Sequence, residues 1–130
     1  MNHLVSDFVI RLKNASRARK KDTLLPYSKL NKAIGLTLVK EGFLTSIKEQ
    51  KDGNKTMLIA EIAYDSRNPV ITDVTIISKP SLRIYQPIHK ITPMEKKGMT
   101  VSIITTSKGV MTTREAEKKG VGGELLFRIW

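Results

Sequence analysis

The 130-residue chain has no cysteine, two histidines, seven aromatic residues and no long apolar run. Without cysteine there is no disulfide framework, no thiolate zinc site and no thiol nucleophile. The lack also fits a reducing compartment. No stretch approaches the roughly 18 apolar residues of a membrane span. Asp7, Arg11 and Lys13 interrupt the N-terminal region where a secretory leader is continuously apolar. A cytoplasmic protein without a membrane partner is therefore expected. His3 and His89 have no carboxylate beside them at metal-ligand spacing, and the twelve acidic residues are scattered, so a metal-dependent nuclease is disfavoured. Gly120-Val121-Gly122-Gly123 is followed by Glu124, where a phosphate-binding loop needs lysine. Ser107 and Lys108 are adjacent on a short loop, and adjacent side chains of an extended loop point apart, which disfavours a serine–lysine dyad. The expectation is a protein that is not an enzyme and has no cofactor or metal.

Positive charge is what the chain has in excess. There are 23 Lys and Arg against 12 Asp and Glu, a formal net charge of +11. Such an excess repels itself and is normally met by a polyanion. Residues 1–32 carry eight basic and two acidic side chains, 33–66 four and five, and 67–130 eleven and five. The charge thus lies toward both ends of the sequence around a nearly neutral middle. Arg17, Arg19, Lys20 and Lys21 form the densest group. With 40% hydrophobic residues the chain is long enough to fold without a staple.

The periodicity predicts an α+β protein of two small lobes. Leu4, Val5, Phe8, Val9 and Leu12 mark the inward stripe of a first helix. Thr23-Leu24-Leu25-Pro26 reads as a short extended piece. Ser28 is placed to cap a second helix with Leu30, Ala33, Ile34 and Leu38 inward and Gly42 as its stop. Residues 43–50 and 55–63 alternate as two strands around an Asp-Gly turn. This gives an α-β-α-β-β lobe over 1–64, a linker at 65–69 from its Asp, Ser, Asn and Pro content, and a mainly β lobe over 70–130. In the second lobe, strands are expected near 70–78, 82–86, Met99–Thr105 and Glu124–Trp130, leaving 87–98 unassigned. A short helix is expected near 112–119, with Thr112 and Glu115 as a capping box and Gly120 as its end. Because the second helix runs directly into a strand pair, a helix-turn-helix DNA binder is disfavoured.

The segment Thr105-Thr106-Ser107-Lys108-Gly109 puts three hydroxyls and an ammonium group on a turn tightened by glycine. Hydroxyls donate and accept, so they suit 2′-OH groups, base edges in a shallow groove and phosphate oxygens; equally, such a turn can simply cap the next helix. Gly122-Gly123-Glu124 is either a bare bend or a close backbone approach to a ligand. Tyr85, beyond Lys79 and Arg83, can stack on a base or pack at a sheet edge. The small number of aromatics disfavours an extended stacking platform.

Ile104-Thr105-Thr106-Ser107-Lys108-Gly109-Val110-Met111-Thr112, Arg114-Glu115-Ala116 and Gly120-Val121-Gly122-Gly123-Glu124-Leu125 closely resemble the C-terminal signature of the bacterial-type small-subunit ribosomal protein eight family. The likeness extends to Ser78-Lys79-Pro80-Ser81-Leu82-Arg83-Ile84-Tyr85, to Ser28-Lys29-Leu30 through Lys40-Glu41-Gly42, and to Asp7 with Arg11-Leu12-Lys13-Asn14-Ala15. The resemblance implies a two-lobed α+β protein of a bacterial-type or organellar ribosome. Such a protein binds the central domain of small-subunit RNA and neighbours small-subunit proteins five and twelve. It also implies specific RNA contacts by Thr105, Thr106, Ser107, Lys108, Gly109, Gly122, Gly123 and Glu124, and neighbouring RNA against Arg11, Asn14, Ser28, Lys29 and Lys32. Arg17 is added from the basic face of the first helix. Some members of that family repress their own messenger, which is the alternative function. The chain departs from the family pattern at His3-Leu4, at Ser81 and Thr100 where glycine is usual, at Ile76 where a basic residue is common, and at Phe127 where cysteine is frequent.

Overall fold

A computed structural model describes residues 3–79, 81–86 and 100–130. Pro80 and the stretch 87–99, which holds His89 and the expected strand start Met99, lie outside the described residues. The fold is α+β, in two compact units, His3–Thr72 and Asp73–Trp130.

The first unit runs α1 (His3–Arg17), β1 (Asp22–Pro26), α2 (Lys29–Lys40), β2 (Leu44–Asp52), β3 (Lys55–Ile62), β4 (Tyr64–Asp65) and β5 (Asn68–Pro69). Its three-stranded antiparallel sheet has the order β1-β3-β2. Val5, Phe8, Val9 and Leu12 are buried along α1, as the stripe predicts. Leu4 is 42% exposed instead. At 3.6 residues per turn it falls about 80° from the centre of that stripe, on its margin. Ser16 continues the inward face, and its hydroxyl donates to the Ile71 carbonyl at 3.1 Å. Helix α2 starts at Ser28, whose oxygen accepts from the Asn31 amide at 2.9 Å. It ends where Gly42 turns left-handed (φ +87°) and the Phe43 amide reaches back to Leu38. Between β2 and β3, Gly53 has φ +63° with Asp52 opposite Lys55, and only the first turn residue is left-handed, the type II′ pattern.

The expected linker 65–69 is a tight hairpin within this unit. Tyr64 pairs with Pro69 and Asp65 with Asn68, and Ser66 turns at φ +60°. Asp, Ser, Asn and Pro favour turns for the same reasons that they favour loops, so composition does not separate the two.

Asn31 ties this unit together from the inside. It is fully buried, and its Nδ2 donates to the Leu4 carbonyl of α1 at 3.2 Å and to the Pro26 carbonyl of β1 at 2.9 Å. One amide therefore joins the starts of both helices to the end of a strand.

The second unit contains β6 (Val74–Ile76), β7 (Tyr85–Gln86), β8 (Val101–Thr106), β9 (Gly109–Thr112), α3 (Thr113–Lys119) and β10 (Gly123–Ile129). Its antiparallel sheet has the order β6-β10-β8-β9, with β7 pairing the start of β10. Ile104, Met111, Ala116 and Leu125 form a buried cluster with Ile77, Ile84 and Val121 packed around it. Thr112 caps α3 by accepting from the Glu115 amide at 3.2 Å, and Gly120 closes it at φ +68°. The strands expected over 70–78 and 82–86 are only three and two residues long. Ser78 interrupts them, because its hydroxyl accepts from the Ile84 amide at 2.9 Å and donates to the Ile84 carbonyl at 3.3 Å, folding the chain back. Strand β9 was not expected, since Gly-Val-Met-Thr is too short for a period to register.

Replacing Asn31 by Ala removes both amide donors and leaves two carbonyls without their partner. The expected loss is about 2 kcal/mol of folding stability, read as a lower denaturant midpoint at unchanged slope.

Candidate nucleic-acid interface

The end of the second unit's sheet gathers most of the candidate residues. β8 and β9 pair as far as Thr106 and Gly109, leaving Ser107 and Lys108 as the two exposed turn residues. Gly109 sits at φ +114°, a conformation side chains rarely adopt. The Thr106 hydroxyl donates to the Gly109 carbonyl at 2.9 Å and accepts from the Lys108 amide at 3.1 Å. Thr106 therefore shapes the turn from within, and the groups turned to solvent are the Ser107 hydroxyl and the Lys108 ammonium. Thr105 is half-buried one step back along β8.

β10 closes this end from the side. Gly123 lies opposite Thr106 on one flank and Gln86 on the other, while Glu124 lies opposite Thr105 and Tyr85. Cross-strand partners share a face, so Tyr85, Glu124 and Thr105 form a row, spaced by about 4.8 Å per strand. Tyr85 is 67% exposed. A Cβ on Gly123 would collide with the Thr105 carbonyl oxygen and crowd the Thr106 Cα. The strands meet here because that residue has no side chain. Gly122, half-buried, links this contact to α3, whose end is held by the Val121 amide donating to Ala116 at 3.0 Å.

Glu124 is only 9% exposed, and its carboxylate lies 3.8 Å from the Arg83 guanidinium, which is half exposed. The geometry suits a group that restrains Arg83. Lys79 is exposed on a two-residue bridge, its amide donating to the Leu82 carbonyl at 2.9 Å and its carbonyl accepting in return at 3.0 Å. Leu82, not singled out from sequence, is 63% exposed on the same bridge; a leucine in an apolar-rich segment carries no signal that it faces solvent.

The N-terminal candidates are more dispersed. Arg11, Asn14 and Arg17 are exposed along α1, about 4.5 Å of axis apart at each step. Arg11 pairs with Asp7 at 3.0 Å and Lys32 with Glu49 at 3.4 Å. Such exposed pairs are worth about 0–1 kcal/mol, so a phosphate competes with them at little cost. Lys29 is exposed, whereas the Ser28 oxygen is already committed to the α2 cap.

Among the described residues there is no group of three or more His, Asp or Glu side chains arranged to hold a metal ion, and no helix is long and apolar enough to cross a membrane. The described residues of this sheet end present hydroxyl, ammonium and guanidinium groups and one tyrosine to solvent.

The family model for ribosomal protein S8 matches residues 3–130. Small ribosomal subunit protein uS8 of Prochlorococcus marinus (strain MIT 9211) is 42% identical over 128 residues, covering 97% of this chain and 96% of that protein. The protein of the same name from Thermosynechococcus vestitus is 38% identical over 132 residues, covering 100% and 98%, and that of Microcystis aeruginosa 39% over 131, covering 99% and 98%. The chain belongs to the ribosomal protein S8 family, a structural and non-enzymatic kind of protein.

Gly123→Ala forces the Thr105 backbone away from β10. The expected cost is about 1–3 kcal/mol of stability, together with faster hydrogen exchange at the 105–109 amides; unchanged exchange there shows that Gly123 does not pin the hairpin.

Proposed function

We propose that this protein is an RNA-binding constituent of the small ribosomal subunit and binds the central domain of its RNA, supporting assembly of that region beside small-subunit proteins five and twelve. The observation that carries the reading is the hairpin turn at Ser107-Lys108. It is exposed at its tip, braced internally by Thr106, and backed by a strand whose approach depends on Gly123.

Affinity and specificity then come from different groups. Lys and Arg neutralise phosphates and orient the complex, so binding weakens with salt at a slope of about −0.9 per phosphate contact on a duplex. The 105–109 turn meets the wide, shallow minor groove of an A-form stem, where 2′-OH groups and base edges are accessible. Ser107 both donates and accepts there, Lys108 supplies a charged donor, and Tyr85 offers a flat face to an unstacked base. Gly122 and Gly123 let backbone approach closely, and Glu124 holds Arg83 in place. Arg11, Asn14, Arg17, Lys29 and Lys32 supply further contacts to neighbouring RNA. Ser28 serves that surface indirectly, by fixing the start of α2.

Ser107→Ala should weaken binding to a central-domain stem by about 1–3 kcal/mol, because its partners are left unpaired. An unrelated duplex should be bound as before. Filter binding of both RNAs by wild type and variant checks this, and equal losses on the two RNAs refute the division of roles.

A further inference from the structure

We propose that the corner where α1 ends, built from Arg19, Lys20, Lys21 and Arg67, is a second contact surface for RNA phosphates. The proposal rests on the reading that RNA is the ligand, and it adds residues outside the sheet end and the α1 and α2 positions assigned above.

The corner is built rather than frayed. Helix α1 closes with the Arg19 amide donating to Ser16 at 3.1 Å and the Lys20 amide to Ala15 at 3.0 Å, the paired bonds of a Schellman motif. That motif puts its C′ residue in the left-handed region, where glycine is favoured, yet here the residue is Arg19 at φ +55°. The β4–β5 hairpin then clasps the turn. The Tyr64 hydroxyl donates to the Lys20 carbonyl at 2.6 Å, and Arg19 Nη1 to the Arg67 carbonyl at 3.4 Å. Beyond that turn the Ile62 amide donates to the Lys21 carbonyl at 2.9 Å, anchoring it to the end of β3. Arg19 and Ser66 are the two non-glycine residues with positive φ among the described residues, and this clasp contains both. Disfavoured backbone kept in place by its surroundings is typical of functional surfaces.

The charges support the same conclusion. Arg19, Lys20, Lys21 and Arg67 are all exposed, and none makes an ion pair among the described residues. The acids of the corner are Asp22, Asp65 and the half-buried Glu61 opposite Asp22, fewer than the cations. A rigid turn presenting guanidinium and ammonium groups suits a backbone of regularly spaced phosphates. The competing account is that these cations merely offset the negative end of the α1 dipole.

Two variants of the full chain, measured on central-domain RNA, separate the accounts. For R19Q/K20Q/K21Q, the slope of log affinity against log salt should shallow by about 2–3, near 0.9 for each lost phosphate contact. Arg19→Gly places glycine in the left-handed position, so its thermal midpoint should hold or rise while the salt slope still shallows by about 1. A wild-type slope in both variants overturns the proposal, as does a loss of affinity in Arg19→Gly that is matched by a lowered midpoint. Failure of the wild-type protein to bind this RNA overturns the underlying reading as well. A complex sensitive to Ser107→Ala whose slope is unchanged in the corner variants overturns only this one.

Discussion

The candidate surface depends on an absent side chain. Gly123 is where β10 comes against β8 closely enough that a Cβ would run into the Thr105 carbonyl. From that approach follow the pairing of Gly123 with Thr106 and of Glu124 with Thr105, and on the other flank the docking of the two-residue β7. A strand of two residues has no independent stability. Tyr85 holds its place because β10 is there to receive it, with the Leu125 amide donating to the Ile84 carbonyl at 2.9 Å one step further on. The hairpin and the tyrosine, separated by some 20 residues of sequence, share one support.

Within that frame, not every hydroxyl of Thr105-Thr106-Ser107 has the same part. Thr106 spends its donor and one acceptor site on its own turn. This holds Ser107 and Lys108 in one presentation before any ligand arrives, and such preorganisation lowers the entropy lost on binding. Glu124 contributes in a similar way, because a carboxylate so covered meets Arg83 more readily than it meets RNA.

Much of this was legible in residue order. The Ser28 and Thr112 caps and the stops at Gly42 and Gly120 rest on interactions within a few residues and are found. The α1 stripe follows from helical period and is found except at Leu4, and the hairpin forms with Gly53-Asn54 as its turn pair. What escaped depends on partners distant in sequence. Asn31 lies in a helix whose pattern marks its neighbours, but its importance comes from carbonyls of Leu4 and Pro26 that only folding brings near. Strand β9 exists because β8 is beside it. The 65–69 hairpin is tied to a helix end that lies more than 40 residues earlier. For the surface, the exposed tip at 107–108 was readable from glycine and hydroxyl spacing. The internal use of Thr106 and the covering of Glu124 were not, since both depend on what the side chain meets.

The departures from the family pattern acquire a physical meaning in the sheet. Phe127, where cysteine is frequent, and Ile76, where a cation is common, are direct cross-strand partners on β10 and β6. Phe127 is 1% exposed and Ile76 half-buried, so the larger ring gains an apolar neighbour in place of a charge that would need solvent. The two changes are complementary: either alone would set an aromatic ring beside a charged group or leave isoleucine facing a small thiol. Thr100 is different: it is buried, and its hydroxyl has no partner among the described residues. None of the three alters the turn at 105–109 or Gly123. Of the departures from the family pattern, Phe127 and Ile76 lie within strands, whereas position 123 carries the glycine on which the backbone approach depends.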